Sequence, residues 1–110
     1  MANRMYPTRD RDVVQKGRTL APAQQAAFEA FSSAVFAEGA LTEREKQLIA
    51  VAVAHTTQCP YCIKGHTKSA LQKGATPEQV MEAIWVAAEM RAGGAYAHST
   101  LALDVIGQQE

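Results

Sequence analysis

The sequence lacks a charge excess: eleven Lys and Arg residues balance eleven Asp and Glu. Without a basic surplus, the electrostatic attraction that draws proteins to nucleic acid or anionic membranes is missing, and neither partner is expected. A long hydrophobic run is also missing. The longest, Leu48–Ala54, falls far short of the ~20 apolar residues needed to cross a bilayer. The opening residues MANRMYPTRDRD contain no apolar core of a secretory signal, so the expected compartment is the cytoplasm. No segment alternates with period two between hairpin turns, which excludes strands and leaves an all-α protein. Repeats and low-complexity tracts are absent. There are only two cysteines, Cys59 and Cys62. Cytosolic thiols are kept reduced, so such a close pair reads first as redox or metal chemistry and not as a structural staple.

A chain of 110 residues is expected to hold one domain. Residues 1–20 are polar, with mixed charges at Arg9, Asp10, Arg11 and Asp12 and no visible period. They read as an irregular arm, with residues 21–110 as a single helical domain of about five helices. The first helix runs from about Pro22 to Ala37, with Ala27, Phe28, Phe31, Ala34 and Val35 at helical spacing. Thr42 with Glu45 three residues on forms a capping box before a helix over 43–57, apolar enough to be buried on most sides. Pro60 suits the first position of the next helix, which ends near Lys73–Gly74. Thr76 and Gln79 repeat the capping signal for a helix whose inner face carries Val80, Ile84, Ala87 and Ala88. Gly93–Gly94 should weaken or break it, or allow close packing. A last helix is expected from about Ala95 to Ile106. Trp85 and Tyr96 read as packing residues. So many apolar helical faces on so short a chain point to completion by oligomerisation.

The chemistry concentrates in Cys59-Pro60-Tyr61-Cys62-Ile63-Lys64-Gly65-His66. With the helix starting at Pro60, Cys59 is its cap and Cys62 lies in the first turn. Cys62 and His66 share a face one turn apart. A helix N-terminus favours the thiolate, and histidine exchanges protons near neutral pH. Nucleophilic thiol, resolving thiol and proton relay are the parts of a dithiol redox centre. On these grounds Cys59, as the cap, could be the more acidic thiol, whereas Cys62 has a base beside it. A second reading is a zinc-binding structural module, with His66 and either His55 or His98 joining the cysteines. A third is a pair of inert buried thiols. His55 and His98 fit equally well as hydrogen-bonded core histidines.

The stretch LTEREKQLIAVAVAHTTQCPYCIKGHTKSALQKGATPEQVMEAIWVAAEMRAGGAYAH resembles the core of the carboxymuconolactone decarboxylase superfamily. Its Cys-x-x-Cys-x-x-x-His element resembles the alkyl hydroperoxidase D (AhpD) branch. The resemblance implies an all-helical fold assembled as a trimer or hexamer, and a thiol-dependent peroxidase working through a CxxC dithiol/disulfide cycle. It implies that Cys62 attacks the peroxide, Cys59 resolves it as a disulfide and His66 relays protons. It implies a dithiol reductant of lipoyl type, with no cofactor and no metal in the site. Decarboxylation of a lactone is disfavoured, because no cluster of basic groups is present to hold a dicarboxylate. Two positions depart from the branch. Gln47 stands where its motif has a relay glutamate, and an amide cannot accept a proton at neutral pH. Glu43 and Glu45 are the nearest carboxylates that could substitute. Tyr61 stands where some members have a histidine. Both changes keep the dithiol and weaken the relay, so a general thiol-disulfide oxidoreductase with weak peroxidase activity is the close alternative.

Overall fold

The structure, a computed structural model, describes residues 5–109. It is built from helices, with no strand among the described residues. The chain divides into two compact units, one up to Ala37 and one from Glu38.

The first unit is a helical hairpin of α1 (Arg11–Leu20) and α2 (Pro22–Phe36). It corrects the expected arm over 1–20, of which the first four residues lie outside the described ones. In this unit α2 pairs with α1. The mixed charges that hid α1 are what organise it. Asp10 caps it by accepting from the Val13 amide at 3.0 Å, Asp12 sits in the first turn and Arg18 in the last. Each charge thereby faces the favourable end of the helix dipole. No residue of either helix is buried, so the apolar spacing read on α2 does not mark a buried face within this chain. Arg18 pairs with Glu29 at 2.9 Å, and Gln25 donates to the same carboxylate at 3.0 Å. These two bonds hold the Glu29 carboxyl below its ordinary pKa.

The second unit contains α3 (Glu43–Thr57), α4 (Pro60–Gln72), α5 (Pro77–Ala97) and α6 (Ser99–Gln108). Helix α3 is the hub, packed on both α4 and α5. Its start is fixed by the expected capping box. Thr42 accepts from the Glu45 amide at 3.1 Å, and Glu45 accepts from the Thr42 amide at 2.8 Å. The core is narrow: Val51 from α3, Ala70 from α4, Ala75 from the connection and Val80 from α5, flanked by Leu48 and Ile84. Small side chains let the three helices approach closely around Val51. Helix α3 is less enclosed than its composition implies, because only Gln47, Val51 and Ala54 are buried while Ile49 and Val53 are half exposed.

Gly74 closes α4 with a left-handed φ of 96°, and the Ala75 amide donates to Ala70 O at 2.9 Å. This is the six-to-one bond of a Schellman ending, which glycine makes without Cβ strain. Helix α5 opens with the expected Thr76–Gln79 box. On the inner face, Val80 and Ala87 are buried and Ile84 is partly so, but Ala88 is exposed. The helix continues through Gly93–Gly94 without a break, and α6 begins only at Ser99. Each interior glycine costs about 1 kcal/mol relative to alanine, which 21 residues of helix absorb. No other helix crowds these glycines: a Cβ on Gly93 would meet only the Glu89 side chain. Trp85 and Tyr96 are 68% and 81% exposed, so neither packs into this chain's core.

Candidate functional site

The site is made where α3 ends and α4 begins. Gln58 adopts a left-handed conformation, φ 56° and ψ 49°. It thereby turns the chain so that the Cys59 amide donates back to Ala54 O at 3.1 Å. This is again the Schellman bond, and it fixes Cys59 against the last turn of α3. Arg91, from α5, adds a brace by donating to Thr56 O at 3.0 Å. It satisfies a carbonyl left open by the helix end and sets a cation at the negative end of the α3 dipole.

Cys59 is then the N-cap of α4, with its Sγ accepting from the Cys62 amide at 3.3 Å. Pro60 occupies the first turn, as expected. The two cysteines have Cα atoms 5.2 Å apart and their sulfurs are joined as a disulfide. Both are partly accessible, and Tyr61 between them is exposed.

One turn beyond Cys62, His66 reaches across to α3. Its Nδ1 lies 2.8 Å from Gln47 Oε1. An amide oxygen only accepts, so Nδ1 carries the hydrogen and the proton-accepting nitrogen of the neutral ring is Nε2. Gln47 is 8% exposed and is, among the described residues, the only polar side chain in the buried class. Burying an unpaired amide costs about 1–3 kcal/mol. Its bond to His66 therefore holds both partners in place. The structure thus joins Gln47 to His66 and Cys59 to Cys62, with His66 one turn along α4 from Cys62.

The other candidate groups go elsewhere. Glu45 is committed to the cap, and its bonds to Thr42 hold its carboxyl below the ordinary value. Glu43 pairs with Lys73 at 3.0 Å. Neither takes the place of a glutamate at position 47. His55 bonds Val51 O at 2.8 Å and His98 bonds Gly94 O at 2.7 Å, each within its own helix. Among the described residues, no three His, Cys, Asp or Glu side chains are gathered closely enough to hold a metal ion. The zinc module therefore has no assembled ligand set.

Sequence reasoning missed Gln58 and Arg91. A polar residue just before a cap cysteine was the only local signal for the first. Arg91 acts through a contact 35 residues away, which no local pattern displays.

Comparison with known proteins finds relatives in both sequence and fold. The model of the carboxymuconolactone decarboxylase family matches residues 22–104. A Paracoccus denitrificans protein, described as uncharacterized protein 4 in the cox locus, is 68% identical over 82 residues, covering 74% of each chain. Among solved structures, a Methanobacterium thermoautotrophicum protein is 40% identical with a TM-score of 0.71. That match covers 76% of this chain and 93% of that one. A carboxymuconolactone decarboxylase family protein from Legionella pneumophila, solved in its apo form, is 30% identical with a TM-score of 0.69. It covers 86% of this chain and 85% of its own.

Proposed function

The chain belongs to the carboxymuconolactone decarboxylase family, and on that premise we propose that it is a thiol-dependent hydroperoxidase of the alkyl hydroperoxidase D type, working in the cytoplasm. The observation that carries this reading is the Cys59–Cys62 disulfide at the start of α4, with His66 held one turn away by a buried amide.

In the reduced protein Cys62 is the attacking thiol and His66 Nε2 takes its proton. The thiolate attacks the terminal peroxide oxygen and the O–O bond breaks. The departing alkoxide takes a proton from His66 and leaves as an alcohol. Cys62 is left as a sulfenic acid. Cys59 attacks that sulfur, water leaves, and the disulfide forms. A dithiol donor of lipoyl type then reduces it, becoming a disulfide itself. Gln47 is a positioning residue in this scheme: it fixes the tautomer of His66 but exchanges no proton. That last feature favours one alternative, a general thiol-disulfide oxidoreductase in which peroxide turnover is slow.

Peroxide consumption with dithiothreitol as donor tests the reading. Wild-type protein should consume peroxide and Cys62→Ser should not. A variant as active as wild type would remove Cys62 from the mechanism. We also propose that the working form is a trimer or hexamer. In the single chain α5 and α6 leave Met81, Trp85, Val86, Met90, Leu101 and Ile106 exposed, and large apolar side chains grouped this way mark protein interfaces.

A further inference from the structure

Resting on the redox reading above, we propose that the outward side of α4 is a docking surface for an acidic protein that carries the reducing dithiol. The disulfide must be reduced in every cycle, and its sulfurs lie beside this helix. One line of α4 faces inward, where Ala70 is buried and His66 bonds α3. Beside that line and turning outward from it lie Ile63, Lys64, Thr67, Lys68, Leu71 and Gln72, which line an open groove of about 520 Å³, with Ile63 and Thr67 half-buried at its inner edge and the two lysines exposed at its outer one. The row Cys59, Ile63, Thr67, Leu71 repeats every four residues, so these side chains follow one another along the helix. The row begins at the disulfide itself: the Ile63 amide donates to Cys59 O at 2.9 Å. A partner seated along it would reach the sulfurs at its head.

Charge identifies the occupant. The chain as a whole is neutral, yet no Asp or Glu occurs between Glu45 and Glu78. That interval contains the disulfide, all of α4 and four lysines: Lys46 on α3, Lys64 and Lys68 on α4, and Lys73. Lys73 is neutralised by Glu43. Lys64 and Lys68 are exposed and have no ion pair among the described residues. Two unneutralised cations thus border an apolar floor of Ile63 and Leu71. Such a surface raises the encounter rate with an anionic partner and lowers it with a cationic one. The chemistry is an exchange: two thiols of the partner become its disulfide as Cys59 and Cys62 become thiols, with the two protons transferred along with the electron pair.

The test uses the oxidised protein and three reductants. Two are synthetic dithiol peptides of equal length, one flanked by aspartates and the other by lysines; the third is dithiothreitol. At low salt the acidic peptide should reduce the disulfide about tenfold faster than the basic one, and the preference should vanish at high salt. The double variant Lys64→Glu/Lys68→Glu should reverse the preference while the dithiothreitol rate stays unchanged. Lys64→Gln/Lys68→Gln, a milder change, should abolish it. Equal rates for the two peptides in wild type would overturn the proposal and leave the redox reading standing, provided dithiothreitol reduces the disulfide. Failure of dithiothreitol as well would overturn both. A change in assembly mass in either variant, with the peptide preference retained, would assign the groove to a second copy of this chain and equally overturn the proposal.

Discussion

At the scale of single residues, the amide at position 47 decides how the histidine works. With Gln47, the Nδ1 hydrogen of His66 is held by an amide oxygen, which cannot take it. After each turnover the imidazole must reset its proton through solvent or substrate. Gln47→Glu supplies a base at the same point with almost no change in volume. General acid–base assistance is typically worth about a hundredfold or more, so the peroxide-dependent rate should rise by at least about tenfold, with thiol content unchanged. A rate that stays level or falls in a folded variant would take position 47 out of the relay and leave the slow-peroxidase alternative in its place. Gln47→Leu should instead remove the buried hydrogen bond between α3 and His66, lowering stability by about 1–3 kcal/mol in urea denaturation.

At the scale of helices, two joints set the site, and each gives a measurement. Gln58 holds a left-handed conformation that costs a non-glycine residue roughly 1 kcal/mol. Gln58→Gly should therefore raise the urea midpoint, by up to about 1 kcal/mol in stability, with the disulfide still forming. A lowered midpoint would mean that the Gln58 side chain contributes more than its backbone costs. The α3 start is the second joint. Thr42→Ala should cost about 0.5–2 kcal/mol as the cap is lost. Its partner Glu45 has its pKa lowered from 4.5 in the folded chain, first by the Thr42 backbone bond. A depressed folded pKa contributes stability that is full above the unfolded value and lost as pH falls through the folded one. The cap should thus weaken in acid, below about pH 4.5. Glu45→Gln should flatten that part of the stability–pH curve, and an identical slope in the variant would show that the ionised cap contributes nothing.

At the scale of the whole molecule, the small core and the exposed apolar side chains have one consequence for solution behaviour. The core cluster is four buried residues, all of them valine or alanine, while Trp85 and Met90 stand more than half exposed. Light scattering at micromolar concentration should return three or six times the chain mass of 11.9 kDa. Trp85→Asp should shift it toward the single chain with the helical circular dichroism signal largely kept. A wild-type mass of one chain would remove the oligomer from the account. No helix among the described residues is long and apolar enough to cross a membrane, so a bilayer-spanning helix is not what these side chains serve.

The sequence alone determined the features that depend on neighbours within a turn or two. Both capping boxes, the limits of α3, the start of α4 at Pro60 and the Cys59–Cys62 juxtaposition are of this kind, because each is a contact between residues three or four apart. It also marked position 66, through its spacing from Cys62, and position 47 through the family resemblance, without being able to show that they touch. Tertiary structure decided the rest. It decided that Gln47 faces His66, 19 residues away, because only the packing of α3 on α4 sets which faces meet. Glu43 was drawn into an ion pair with Lys73 and so out of the site. The Arg91 brace and helix α1 came from the same source, since a long-range bond and a charged cap hold them and no apolar period announces them. Gly93–Gly94 stayed helical for a related reason: local propensity is a cost of about 1 kcal/mol per glycine, small enough for a long packed helix to override.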